Sequence, residues 1–315
     1  MSKTLIILGP TAAGKTAVSI LLAEKLSGEI ISADAFQVYR GMDIATAKPS
    51  PAELARVPHH LIDILRPGED YSAARFRELA LPLIGEILSR GRRPIVSGGS
   101  AMYIRVLVDG IFDSPPADRD LRDRLRREEE EGGPGFLHRR LARLDPVSAE
   151  RIHPRNLKRI VRALEVRELT GTPISRLQRE WGPAGSPSPD FPFRLIGLRR
   201  ERGDLYRRID LRAEAMLESG LLEETRRLRA AGSLDRGTAR LALGYREAAG
   251  CLDGEYGEEE AVRRLAAATR RFARRQLTWW RKDGRVEWVD LAPGTPPEAA
   301  AEKIMRLPEI TGEPS

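Results

Sequence analysis

GPTAAGKT, residues 9–16, decides how this chain folds. The stretch fits the pattern G-x-x-x-x-G-K-[ST], which ends here in Lys15 and Thr16. It follows TLIIL at 4–8, an apolar run typical of a buried strand, and precedes AVSILLAEKL, which has helical periodicity. In such a strand–loop–helix unit the backbone N–H groups and the lysine hold phosphate, and the hydroxyl can ligate Mg²⁺. The motif therefore predicts a phosphate site, but not which phosphates are held or what is done to them.

Strands and helices continue to alternate after this loop. Residues 28–34, GEIISAD, are predicted to form a strand that ends in an acid. Residues 92–110 are predicted to form a strand, a glycine turn and a helix, and residues 193–198 are predicted to form a strand that returns to the sheet. This alternation predicts an α/β fold with a doubly wound parallel sheet. Its sites are expected where the strands end at their carboxyl side.

A change in composition predicts the domain organisation. Residues 1–112 are assigned to the first part of the α/β core, and residues 113–185, which are charged, Arg-rich and helical, to an insertion lobe. A Pro/Gly/Ser stretch at 182–192 is typical of a surface loop. Residues 186–290 are predicted to return to the core, and residues 291–315 to form a peripheral tail.

The overall balance is basic, with 53 Lys and Arg against 46 Asp and Glu. No apolar run is long enough to cross a membrane, and the N-terminal apolar run is too short for a secretory signal. We therefore expect a cytoplasmic protein. A monomer is the default expectation for its oligomeric state. The single cysteine, Cys251, excludes an internal disulfide. The adjacent His59 and His60 would point to opposite faces of a strand, which disfavours a shared metal.

Two groups at predicted strand ends carry the chemistry. Asp34 could ligate Mg²⁺, bind a hydroxyl group or act as a general base, or it could simply cap a turn. The turn Gly98-Gly99-Ser100 follows a strand that has no terminal acid, which argues against an NTP-hydrolysing machine. Its glycines would allow a bulky group to come close, although a simple strand–helix connection needs no more than this.

Basic residues cluster on predicted helices. RNLKRIVR (155–162) and TRRFARRQLTWWRK (269–282) combine cations with, in the second case, aromatic residues, a pattern typical of binding to single-stranded RNA. A solvated helix face is the alternative for either one alone. Arg208 and Arg212 lie one helical turn apart, where a phosphate clamp is possible but an ion pair with a nearby aspartate is favoured by the residues alone.

Several segments in a fixed order carry a resemblance to a known family. They are GPTAAGKT (9–16), ISADAFQVYRGMDIATAKP (31–49), PHHLIDI (58–64), YSAARFRELA (71–80), PIVSGGSAMYIR (94–105), DPVSAERIHPRNLKRIVRALEV (145–166), TGTPIS (170–175), LYRRIDLRAEAMLESGLLEE (205–224), ALGYRE (242–247) and TRRFARRQLTWWRK (269–282). Together they resemble the tRNA dimethylallyltransferases, also called isopentenyl-tRNA transferases.

The resemblance implies a reaction. A dimethylallyl group would pass from dimethylallyl diphosphate to N6 of adenosine at position 37 of a tRNA, with Mg²⁺ as cofactor and diphosphate released. It implies Asp34 as the base, Arg212 as an additional diphosphate clamp and Thr16 as the Mg²⁺ ligand, and these three form the predicted catalytic set. The insertion at 113–185 resembles the family's mobile lobe, which closes over the anticodon stem-loop.

The resemblance also implies two binding sets. The diphosphate would be held by Gly9, Pro10, Thr11, Ala12, Ala13, Gly14, Lys15 and Thr16. The tRNA would be contacted by Asp34, Ala35, Phe36, Gln37, Ser100, Arg122, Lys158, Arg159, Ile160, Val161, Arg162, Leu241, Ala242, Leu243, Gly244, Tyr245 and Arg246. Ala35 stands where the family usually has serine, Ala45 where it has glycine, and Leu241 where a polar contact is expected, so fine RNA contacts differ.

Other functions remain open at this stage. A small-molecule or nucleotide kinase could use the same loop with the insertion as a lid, an adenylate isopentenyltransferase could act on free nucleotides, and an RNA-binding protein could carry a vestigial loop. The missing strand-end acid and the Arg/Trp helix disfavour the kinase. The intact Lys15, Thr16 and Asp34 favour catalysis, and the basic surface favours tRNA over a mononucleotide.

Overall fold

The computed structural model describes residues 4–111, 115, 117–180, 192–235, 237–308 and 310. The chain forms two compact units, one comprising Met1–Val108 with Pro189–Ser315 and the other Asp109–Ser188. The lobe boundaries predicted at 113 and 185 lie outside the described residues. So does the predicted surface loop, apart from its last residue.

The first unit is built on one parallel sheet. Its strands are β1 (Thr4–Leu8), β2 (Gly28–Ser32), β3 (His59–His60), β4 (Arg93–Gly98), β5 (Phe193–Arg200) and β6 (Val286–Leu291). The strand order is β3-β2-β4-β1-β5-β6, and every pairing is parallel. This confirms the predicted α/β class. Since β2, β4 and β1 are neighbours, the segments that follow them meet at one edge of the sheet.

Fourteen helices are present in the described part of the chain. They are α1 (Lys15–Lys25), α2 (Pro51–Leu54), α3 (Ala73–Ser89), α4 (Ala101–Asp109), α5 (Arg119–Gly132), α6 (Phe136–Leu144), α7 (Pro146–Arg151), α8 (Leu157–Thr170), α9 (Ile174–Glu180), α10 (Arg202–Glu218), α11 (Leu221–Ala230), α12 (Tyr245–Leu252), α13 (Glu258–Trp280) and α14 (Pro297–Met305).

Both faces of the sheet are covered by apolar side chains. In β1, Ile6 and Leu8 belong to one buried cluster and Leu5 and Ile7 to another. Successive residues of a strand point to opposite faces, so a strand buried on both sides must be apolar throughout. This explains why the run before the phosphate loop shows no polar alternation.

The second unit is helical wherever it is described, with α5 to α9 packed around an apolar cluster that includes Leu125, Leu141 and Leu164. Glu165 on α8 is fully buried. It accepts hydrogen bonds from Arg122 at 2.8 Å and from Arg162 at 2.5 Å, and these cations lower its pKa despite burial. A charge in this core is therefore neutralised from within the unit.

The C-terminal tail is not peripheral as predicted. Helix α14 packs against α1, and Ala300, Ala301 and Ile304 are fully buried in the same cluster as the apolar side chains of α1. Just before it, the carbonyl of Thr295 accepts a hydrogen bond from Arg200 at 3.1 Å. The Pro/Gly-rich composition suggested a peripheral tail, although Ala300, Ala301 and Ile304 form a short apolar stripe on α14.

Two segments differ from what their sequence patterns suggest, for backbone reasons. Residues 203–231, whose amphipathic periodicity predicts a single helix, form α10 and α11 instead, divided at Gly220, which has a left-handed φ of 96°. The apolar run at 60–65 pairs with the sheet only through β3, because Leu61 and Asp63 also have positive φ, 62° and 56°.

Candidate active site

A cavity of about 560 Å³ opens where β1, β2 and β4 end. It is lined by the phosphate loop, by the acid after β2, by the glycine turn after β4 and by two arginines of α10. Its lining residues include Thr11, Ala12, Gly14, Lys15, Thr16, Asp34, Gln37, Gly98, Gly99, Arg208 and Arg212. The structure thus brings together the whole predicted catalytic set.

Two arginine side chains hold the phosphate loop in place by donating hydrogen bonds to its carbonyl groups. Arg208 donates to the carbonyl of Ala12 at 2.9 Å, and the buried Arg200 donates to that of Ala13 at 3.0 Å. In a trans peptide the N–H points away from the carbonyl, so the N–H of Gly14 is directed away from Arg200. These protein contacts therefore hold the loop in its conformation.

The loop is also strongly electropositive. Burial and the neighbouring Arg212 lower the pKa of Lys15 to about 8, while Asp34 acts in the opposite sense. Burial likewise lowers the pKa of Arg212. Two cations held close together in a partly desolvated cavity favour a bound polyanion, which would relieve their repulsion.

Asp34 both caps a turn and lines the cavity. Its carboxylate accepts hydrogen bonds from the backbone N–H of Phe36 at 2.9 Å and of Gln37 at 3.3 Å. Burial nevertheless raises its pKa, outweighing those bonds and the charges of Lys15 and Arg212. A carboxylate with a raised pKa is a stronger proton acceptor, so the two sequence interpretations of Asp34 are compatible.

Gln37 is fixed beside this acid by the loop that follows it. Its side-chain oxygen accepts a bond from the hydroxyl of Ser32 at 2.9 Å, and its nitrogen donates to the carbonyl of Ala47 at 3.1 Å. Ala47 has a left-handed φ of 49°. The amide is therefore oriented before any ligand arrives.

Glu224 supports that loop and was missed from the sequence. It is buried on α11 and accepts the backbone N–H of Asp43 and of Ile44, each at 3.0 Å, and the hydroxyl of Tyr245 at 2.8 Å. The sequence does contain a signal for its burial. Glu224 lies between Leu221 and Leu228 on the apolar stripe of its helix, where an acid needs buried partners.

The glycine turn after β4 lets two other segments of the protein come close, in addition to lining the cavity. A Cβ at Gly98 would lie 2.2 Å from the carbonyl oxygen of Ala33, so the glycine lets the chain leading to Asp34 cross the end of β4. A Cβ at Gly99 would lie 2.3 Å from the side-chain nitrogen of Gln276 on α13. The sequence predicted close approach of a bulky group at this turn but not its identity.

The arginines of α10 face the cavity. The ion-pair interpretation does not hold, because Asp204 pairs with Arg200 and Arg207, while Asp210 pairs with Arg270. Both Arg208 and Arg212 are left lining the phosphate site.

The predicted tRNA-binding residues fall into three groups by exposure. Those exposed are Lys158, Arg159, Leu241 and Arg246; those partly exposed are Asp34, Ala35, Phe36, Gln37, Ser100, Arg122, Arg162 and Leu243. Those buried are Ile160, Val161, Ala242, Gly244 and Tyr245. The buried side chains are engaged within the protein, because Ile160 and Val161 complete the apolar core of the helical unit and Tyr245 supports Glu224.

The basic face of α13 is exposed. Its exposed members, with the two residues that follow the helix, are Arg271, Arg274, Arg275, Trp279, Arg281 and Lys282. Trp280, expected to belong to this surface, is instead buried in the main core. One face of the helix thus packs against α10 and α12 in the main core, and the other presents cations to solvent.

No group of three or more His, Cys, Asp or Glu side chains that could hold a metal occurs among the described residues. Thr16 and Asp34 do line the cavity with oxygen atoms, which suit Mg²⁺ when a bound phosphate supplies further ligands. As far as the structure is described, no helix is long and apolar enough to cross a membrane.

Known proteins with similar sequences and structures point to one family. The family model described as IPP transferase matches residues 37–283. The tRNA dimethylallyltransferase of Symbiobacterium thermophilum is 49% identical over 96% of this chain and 93% of its own, and that of Pelotomaculum thermopropionicum is 45% identical over 97% and 96%.

Solved structures agree with these sequence matches. The tRNA isopentenylpyrophosphate transferase of Bacillus halodurans has a TM-score of 0.71 and 39% identity, covering 98% of this chain and 97% of that one. A eukaryotic dimethylallyltransferase acting on tRNA has a TM-score of 0.79 and 29% identity, covering 92% and 74%. With a family model matched over most of its length and relatives this similar across nearly all of it, the chain belongs to the IPP transferase family.

Proposed function

We propose that this protein is a tRNA dimethylallyltransferase, which transfers a dimethylallyl group from dimethylallyl diphosphate to N6 of adenosine at position 37 of tRNA. The observation that carries the proposal is the meeting of Asp34 with Lys15 and Arg212 in one cavity beside a phosphate loop. A proton acceptor and a polyanion site in the same cavity suit an alkylation in which diphosphate departs. The names of the relatives support the same reaction.

The diphosphate would be held by the phosphate loop. Lys15, Arg212 and the N–H groups of the first turn of α1, which the helix itself does not bond, would stabilise the charge that builds on the leaving group. Mg²⁺, which Thr16 would help to hold, would supply additional positive charge to the same oxygens. The bond between the prenyl C1 and the diphosphate oxygen breaks as the bond between C1 and N6 forms.

Asp34 would take up the proton that N6 loses. An exocyclic adenine amino group is a weak nucleophile, and alkylation would leave it positively charged unless a base accepts its proton. The adenine must leave the base stack to reach this acid. Gln37, which lines the cavity, and Phe36, whose N–H donates to Asp34, would contact the extruded base.

The tRNA would be bound through basic surfaces of each unit. In the first unit the cations on α13 supply phosphate contacts, and in the second Lys158 and Arg159 are exposed near the start of α8. The anticodon stem-loop is the proposed region of contact. Since one chain contains every proposed catalytic group, we propose that the enzyme acts as a monomer, and in the cytoplasm.

The function is tested by incubating the protein with labelled dimethylallyl diphosphate, tRNA and Mg²⁺. We expect label in tRNA, at adenosine 37 after nuclease digestion, with little turnover of ATP. Chelating Mg²⁺ should remove the transfer. Label found only on free AMP would instead indicate an adenylate isopentenyltransferase, and ATP-dependent phosphorylation of a small molecule would indicate a kinase.

The lowered pKa of Lys15 predicts a pH dependence. In the free enzyme Lys15 loses its positive charge as the pH rises through about 8, so kcat/KM for dimethylallyl diphosphate should fall above that pH. The kcat measured at saturation should fall less, because bound diphosphate favours the protonated amine. Lys15→Arg should move the falling limb to higher pH, whereas a limb that stays in place would assign it to another group.

A further inference from the structure

The side chain of Gln276 links the phosphate loop to the glycine turn. It is 6% exposed on α13. Its oxygen accepts the backbone N–H of Thr11 at 2.9 Å, and its nitrogen donates to the carbonyl of Gly99 at 2.9 Å. One bond needs an acceptor and the other a donor, so the amide has a single orientation that satisfies both.

The two segments it joins follow adjacent strands. Leu8 at the end of β1 pairs with Gly98 at the end of β4, so the loop and the turn leave the sheet side by side. Nothing in the sheet itself sets their separation beyond this point. Gln276 spans it from a helix that lies far away along the chain.

Gly99 is matched to this side chain. A Cβ there would lie 2.3 Å from the nitrogen of Gln276, a distance that forces the amide away. Gly99 has no positive φ, so its backbone conformation does not require glycine. The space that the missing Cβ leaves is occupied by the amide.

The bond also determines which loop N–H groups face a ligand. The N–H of Thr11 is already used by Gln276, and that of Ala13 donates to the carbonyl of Pro10 at 3.3 Å, so neither is directed to a phosphate. The N–H groups of Lys15 and Thr16 lie in the first turn of α1, which the helix itself does not bond. Arg200 and Arg208 fix the middle of the loop through its carbonyls, while Gln276 fixes its beginning. A loop fixed at both places loses little conformational freedom when a ligand binds.

We propose that Gln276 is a positioning residue for the prenyl donor, which holds the phosphate loop against the glycine turn so that the diphosphate site is formed before tRNA binds. The role rests on the proposed function, since it assigns the loop to the diphosphate of dimethylallyl diphosphate. Gln276 touches neither the diphosphate nor the reacting atoms. It acts through Thr11 and Gly99.

Calorimetry with inorganic diphosphate and Mg²⁺, without tRNA, tests this directly. Gln276→Ala removes both bonds and should weaken diphosphate binding about tenfold, with a matching rise in the KM for dimethylallyl diphosphate. The KM for tRNA and the kcat at saturation should stay within about twofold. Gln276→Glu keeps an acceptor for Thr11 but places a carboxylate oxygen against the Gly99 carbonyl, so it should weaken binding at least as much.

Substitution of Gly99 provides a second, independent test of the proposal. Gly99→Ala should weaken diphosphate binding because its Cβ displaces the amide, but the double variant Gly99→Ala with Gln276→Ala should be no weaker than Gln276→Ala alone. Thr225→Val is the control for loss of a buried hydrogen bond, since its hydroxyl donates to the carbonyl of Leu221 within α11. It should bind diphosphate as the wild type does.

Three results would overturn the proposal. They are unchanged diphosphate binding in Gln276→Ala, additive losses in the double variant, and a defect confined to the KM for tRNA. The proposed function fails separately, if wild-type protein transfers no prenyl group to tRNA. Thermal melting of each variant distinguishes a local loss from unfolding.

Discussion

Asp34→Ala is expected to abolish prenyl transfer while tRNA binding is retained. Loss of a positioned proton acceptor costs roughly 10²–10⁴ in rate. The other carboxylate among the described lining residues, Glu53, is already bound to the backbone N–H and the hydroxyl of Ser50. Transfer of labelled dimethylallyl to tRNA measures the first effect, and filter retention of labelled tRNA measures the second.

Asp34→Asn makes the same test without disturbing the turn. Its amide oxygen can still accept the N–H groups of Phe36 and Gln37, so the local backbone is preserved while the base is lost. Burial raises the pKa of Asp34, so its ionised form costs folding free energy and the asparagine variant should melt no lower than the wild type. Substantial transfer by Asp34→Asn would refute the assignment of the base.

Lys15→Met is expected to lower kcat/KM for dimethylallyl diphosphate by about 10²–10³, the usual cost of removing one preorganised group that stabilises a transition-state charge. The side chain keeps its length and apolar stem but loses the cation that, with Arg212, makes the cavity attractive to diphosphate. Steady-state kinetics at saturating tRNA measure the loss.

Lys25→Met is the matched control, because Lys25 is exposed at the far end of the same helix. It should leave kcat/KM unchanged within about twofold, and Lys15→Met should bind tRNA as tightly as the wild type. A similar loss in both variants would mean that helix stability, not the charge in the cavity, was measured.

Local sequence signals were sufficient for the strands and for the residues that follow them. The apolar run before the phosphate loop, the acid after β2 and the glycines after β4 each depend on neighbours in the chain, and parallel strand order brings them to one edge. The positive φ values at Leu61 and Asp63 were not predictable in this way. Leucine rarely adopts the left-handed region, and aspartate adopts it more often than most residues but still only in a small minority of cases.

Contacts between distant segments could not be predicted from local sequence patterns. Gln276 meets Thr11 across 265 positions, and Glu224 meets Ile44 across 180. Each is a polar residue on an apolar helix stripe, which indicates a buried partner but not which one. The basic and aromatic residues around Gln276 drew attention to the solvent face of α13, while its inner face carries the link to the phosphate loop.

The packing of α14 on α1 determines how short a working version of this enzyme can be. A chain that stops before Thr295 would lose the carbonyl that helps orient Arg200, and Arg200 in turn orients the loop carbonyl of Ala13. It would also uncover the apolar side of α1, whose first turn lines the cavity. Thr295 and α14 are not among the residues that line the cavity, yet we expect them to be part of the shortest active chain.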